Sequence, residues 1–132
     1  MRRITFVSVL IACLATVVVI APAASARGGG TTRSITLRGS ISFPSASGQA
    51  DYKVGSGERE LQIEVEHISV LRGKHVNVFV NGSKLASPLV SSLGQIHVER
   101  NTSLGQTVPT IVTGSTVRVR TLGGTLIASG TF

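Results

Sequence analysis

From Ser34 onward the apolar residues fall at every second position. Ile35, Leu37, Gly39, Ile41 and Phe43 alternate with Thr36, Arg38, Ser40 and Ser42, and Pro44 closes the run. Successive side chains of a strand point to opposite sides, so this period predicts a strand with one buried face. The pattern returns at Ala50, Tyr52 and Val54, then at Leu61, Ile63 and Val65, with Gly55-Ser56-Gly57 between them as a hairpin turn. Val76, Val78 and Val80 predict another strand. Asn81-Gly82 follows, a pair that tolerates the positive φ of a type I′ turn. Lys84 to Val90 is expected to run back, with Pro88 marking an edge or a bend because it lacks an N–H. Ile96 with Val98, the short stretch Thr107 to Val112, Val117 with Val119, and Thr125 to Phe132 after Gly123-Gly124 complete the series. No stretch carries capped helical periodicity over the roughly ten residues a helix needs. The expected fold class is all-β, with about seven to nine short strands. The arrangement expected is a single antiparallel β-sandwich, immunoglobulin-like, with a small β-barrel as the alternative.

One tetrapeptide repeats. Ser92-Leu93-Gly94-Gln95 returns as Ser103-Leu104-Gly105-Gln106. The repeat predicts two similar turns, each placing Gly at a special backbone position.

The N-terminal pattern differs. Arg2 and Arg3 precede an apolar run, Ile4 to Ala21, which Pro22 breaks before Ala24-Ser25-Ala26. A basic start, an apolar core and a small-x-small site read as an export signal helix over residues 1–26, cleaved after Ala26. The run is long enough to leave an uncleaved anchor as an alternative. Leu10-Ile11-Ala12-Cys13 matches a lipobox, but the chain stays apolar after Cys13, which argues against lipidation. Residues 27–33, with three consecutive glycines, read as a flexible leader, and residues 34–132 as the single domain.

Cleavage changes the composition. Of 13 Lys and Arg, two lie in the signal, leaving a surplus of five cations over the 6 acids. The one cysteine, Cys13, leaves too, so the exported chain has no disulfide, thiol nucleophile or thiolate ligand. A disulfide-free exported domain fits a bacterial envelope. The basic surplus suits an anionic partner such as a membrane surface or acidic polymer, or serves solubility alone. Aromatics for base stacking are scarce and no long Lys/Arg run exists, which excludes nucleic acid.

Candidate chemistry is thin. His67, His75 and His97 are the only imidazoles, and their spacing forms no ligand pair. His67 has the parity of the buried residues Leu61 to Val65, so it is expected to cap that face, whereas His97 has the outward parity of Glu99. Serines are plentiful, but none sits in a Gly-x-Ser-x-Gly elbow. A carboxylate pair for glycoside hydrolysis has only Glu58, Glu60, Glu64, Glu66 and Asp51 to draw on, and Glu60, Glu64 and Glu66 read as a solvated stripe. If their strand neighbours the late one, Glu64 or Glu66 faces Arg118 or Arg120 across it. No catalytic, cofactor-binding or metal-ligating residue is predicted, and no cofactor.

Gly48-Gln49-Ala50-x-Tyr52, Leu61-x-Ile63-x-Val65-Glu66 and Val78-Phe79-Val80-Asn81-Gly82 form a set with Gly105-Gln106-x-Val108-Pro109 and the terminal Ser129-Gly130-Thr131-Phe132. Together they resemble an uncharacterised exported bacterial β-sandwich domain family without known activity. The resemblance spans Gly48 to Phe132 and implies a small sandwich and no reaction. A similarity to chordin-type repeat domains fails because their histidine-rich segment is missing.

These readings predict an exported non-enzymatic module that binds or assembles in the periplasm or at the cell surface. The expected partner is a protein, engaged by edge-strand addition, or an anionic envelope polymer. A membrane enters only if the signal segment stays uncleaved, and the oligomeric state is left open. The alternatives are a passive envelope or matrix component, or a small hydrolase or metal-binding protein.

Overall fold

The computed structural model describes residues 29–132. The signal segment, its anchor and lipobox alternatives, and the first two residues of the leader lie outside that range. Eight strands follow in chain order: β1 (Thr31–Gly39), β2 (Ser47–Gly55), β3 (Glu58–Glu66), β4 (Val76–Val80), β5 (Ser83–Ala86), β6 (Ile96–Asn101), β7 (Thr116–Thr121) and β8 (Leu126–Thr131). The protein is all-β, as its period-two pattern predicts. All eight strands join one sheet in the order β5-β4-β7-β8-β1-β2-β3-β6, every pair antiparallel, and the sheet nearly closes into a barrel. It does not divide into the two sheets of the expected immunoglobulin-like sandwich.

The inward residues are those the alternation marks. Leu37, Ala50, Tyr52, Leu61, Ile63, Val65, Val76, Val78, Val80, Ile96, Val98, Val117, Val119 and Ile127 fill the interior. Each large aliphatic side chain removed from water contributes about 1.5–3 kcal/mol before entropy is counted. Loop residues Ile68, Leu71, Val90, Val108 and Ile111 close the ends. Where β2 crosses β3, an added Cβ on Gly48 would lie 2.1 Å from the Glu64 carbonyl oxygen. Only glycine admits that approach between the paired strands.

Several boundaries differ from the expectation. β1 begins at Thr31, where it pairs with Val54, so residues 31–33 of the expected leader are strand. It ends at Gly39 rather than at Pro44. There the Ser40 hydroxyl bonds the Leu126 carbonyl and also accepts from the Phe43 N–H. A side chain that bonds local backbone competes with the ladder, and the chain turns. Ile41 keeps the period but is 99% exposed. β5 stops at Ala86; pairing resumes beyond Pro88 as a single bridge between His75 and Leu89. Thr107 to Val112 is a loop whose Val108 and Ile111 are buried.

The expected Glu–Arg ladder does not form. β3 lies between β2 and β6, whereas Arg118 and Arg120 lie on β7, between β4 and β8. Alternation fixes the face of a residue but not which strands become neighbours.

Candidate functional site

A row of outward residues crosses four strands in register. Thr36 on β1 opposes Gln49 on β2, Gln49 opposes Glu64 on β3, and Glu64 opposes His97 on β6. The row floors a groove of about 610 Å³, bounded also by Ser47, Gln95 and Leu89. His97 Nδ1 lies 2.9 Å from Glu64 Oε1, and its Nε2 lies 3.6 Å from Glu99 Oε2. All three side chains are about half exposed or more. Beside the groove, Gln49 Nε2 donates to both Asp51 oxygens at 2.9 Å, and the Ser34 hydroxyl donates to Asp51 Oδ1. The Ser34 hydrogen bond is the main cause holding the Asp51 carboxyl below its ordinary value, with help from Gln49 and Lys53 against a smaller opposing effect of burial.

The other imidazoles lie elsewhere. His67 does not cap the buried face: it is exposed at the end of β3 with φ of 62°, and its Nδ1 lies 3.2 Å from Ser47 Oγ. The positive φ turns its side chain out of the strand's alternation. His75 Nδ1 lies 2.8 Å from the Ser87 carbonyl oxygen. Each histidine therefore has its own partner. Among the described residues no group of three or more His, Cys, Asp or Glu is placed to hold a metal ion.

The groove adjoins a seam. β5 and β6 are the two ends of the strand order, and they follow one another in the chain through the turn at Ser91 to Gln95. Among the described residues no backbone hydrogen bond joins them. Instead the Arg100 guanidinium spans the gap, donating to the Leu85 carbonyl at 3.3 Å. Asn101 on β6 turns its main-chain groups away from β3: its N–H donates to Gln106 Oε1 at 2.9 Å, and its carbonyl accepts from the Gln106 N–H. Alternation along an antiparallel strand then aims the N–H and C=O of Glu99 and His97 at the seam too. Opposite them, Val76 N–H bonds Pro88 and Val90 N–H bonds Lys74, which leaves the main-chain groups of Leu89 facing the same gap. Pro88 turns its carbonyl to Val76, so its missing N–H falls on the β4 side and not at the seam.

The arrangement offers main-chain donors and acceptors along an edge, with polar side chains on the adjoining face. It can pair with an extended chain. Its carboxylates, Glu64 and Glu66, do not suit a polyanion. The sequence marks Glu64 and His97 as outward, but not their meeting, and gives no sign of Gln49, Gln95 or Leu89. Outward parity on consecutive strands is the only available signal, and it becomes informative once the strand order is known. No protein-family model, no curated protein and no solved structure matches the chain.

Proposed function

We propose that the chain is an exported, non-enzymatic binding module of the periplasm or cell surface, built on a small open barrel, that takes an extended segment of a partner protein at the seam between β5 and β6. What supports this reading is the unpaired edge of β6, where Glu99 and His97 present main-chain groups beside a polar groove. Strand addition draws affinity from main-chain hydrogen bonds and specificity from the side-chain pockets alongside. Here Gln49, Gln95 and the Glu64–His97 pair would read the added segment.

The test uses proline on the edge. Glu99→Pro removes one seam-facing N–H without touching the β3–β6 ladder. The protein is used as bait against an envelope extract beside Glu99→Pro and Glu99→Gln. The expected result is capture by the parent and by Glu99→Gln, and at least about tenfold less by Glu99→Pro. Equal capture by a folded Glu99→Pro protein contradicts the reading.

A further inference from the structure

The two ends of the barrel differ. One end carries the loops at residues 40–46, 67–75, 87–95 and 122–125; the other carries the tight turns after β2 and β4, the long loop after β6, and the entry to β1. Of the seven large apolar side chains most exposed among the described residues, five lie at the first end: Ile41, Val70, Leu89, Leu93 and Leu122. Every loop at that end contributes at least one. None of those loops contains an Asp or Glu, and the second adds Arg72 and Lys74, both exposed. At the strand ends beneath them stand Arg38, Arg120 and a single acid, Glu66.

The loops form one rim. Ile68 N–H bonds the Gly94 carbonyl at 3.1 Å, joining the second loop to the third. Val70 shares a hollow with Phe43 and Pro44 of the first. Ser40 N–H bonds the Ile127 carbonyl at 2.8 Å, and Arg120 donates to Gly124 in the fourth. Scattered apolar side chains on a surface need no explanation, but one or more on every loop of a single joined rim point to an interaction site. Apolar tips on loops that carry cations and no acid, with Glu66 the one anion beneath them, match the interface of an anionic bilayer, where tips enter the headgroup region and cations meet phosphates.

We propose that this end of the barrel docks on an anionic phospholipid bilayer, with Ile41, Val70, Leu93 and Leu122 entering the interface and Arg72 and Lys74 at the phosphates. Chain entry at Thr31 lies at the opposite end, so the contact is separate from any N-terminal tether. Leu89 borders the seam as well, but Ile41, Val70, Leu93 and Leu122 do not line the groove there.

The repeated tetrapeptide supplies the control, because its two copies cap opposite ends of β6. In a Cys13→Ala chain, an environment-sensitive dye is placed through Ser92→Cys or Ser103→Cys. Vesicles of phosphatidylglycerol and phosphatidylcholine are added, with pure phosphatidylcholine beside them. The dye at position 92 is expected to shift to the blue with the anionic vesicles, and the dye at 103 to stay unchanged. Leu93→Asp and Arg72→Glu should each weaken vesicle binding about tenfold or more, Leu104→Asp less than about twofold, and Glu99→Pro not at all. Equal shifts at 92 and 103, no shift at 92, or equal losses for Leu93→Asp and Leu104→Asp would overturn the proposal. So would a shift at 92 that grows with protein concentration before vesicles are added, which would mark a second copy as the occupant.

Discussion

At the scale of single residues, chemistry and backbone geometry separate positions that look alike in the sequence. Gly94 and Gly105 occupy the same place in the repeat and share a left-handed conformation, φ 72° and 74°. An added Cβ at Gly94 would lie 2.6 Å from the Ser69 backbone, whereas at Gly105 it meets nothing within 4 Å. Gly105→Ala should therefore cost about 1 kcal/mol, for the backbone conformation alone. Gly94→Ala should cost about 2–4 kcal/mol, because overpacking is added. Urea denaturation of both variants checks this, and equal costs would contradict the packing argument. The sequence shows that both turns need glycine, but not which one is pressed against a neighbour.

Asp51 makes the stability of the fold depend on pH in the acid range. Its carboxyl is held below the ordinary value, chiefly by Ser34, so its ionised form is favoured by folding. The resulting stability is fully present above the unfolded value of about 3.9 and is lost as pH falls through the lower folded value. Asp51→Asn should be less stable than the parent at neutral pH by about 0.5–1 kcal/mol, since the site is partly open to solvent. The difference should shrink as pH falls below about 3.9 and vanish once pH is below the lowered folded value. Thermal denaturation across that range measures it, and a pH-independent difference would remove Asp51 as the cause.

At the scale of elements, alternation locates the strands and local chemistry trims them. Val76 to Val80 and Ile96 to Val98 are plain in the sequence because inward valine and isoleucine alternate with polar residues. Ile41 and Phe43 continue the period of β1, yet the Ser40 hydroxyl turns the chain before them. Period two is necessary for a half-buried strand but does not compel one. On β6, neighbouring residues have opposite roles. Val98 and Arg100 bond to β3, whereas His97 and Glu99 face the seam. Val98→Pro should cost about 3 kcal/mol or more, because it breaks the ladder and opens the core. Glu99→Pro should cost less than about 1 kcal/mol. Denaturant midpoints compare them, and a comparable loss in both would mean that β6 is no edge.

At the scale of the whole molecule, strand order decides what the outward residues become. The stripe Glu60, Glu64 and Glu66 is visible in the chain, but its neighbours are not. Pairing β6 with β3 brings His97 to Glu64 and keeps both away from Arg118 and Arg120. Neither partner choice nor near-closure has a local signature, because both depend on contacts between segments far apart in sequence. The groove, the seam and the apolar rim all follow from that order.

The central claim is that β6 ends the sheet and presents an unpaired edge. Residue-resolved amide hydrogen exchange tests it most directly. Exchange should alternate along β6: slow at Val98 and Arg100, whose N–H groups bond β3, and faster by at least about a hundredfold at His97 and Glu99. Equal protection at all four positions would mean that the seam is closed and would contradict the account.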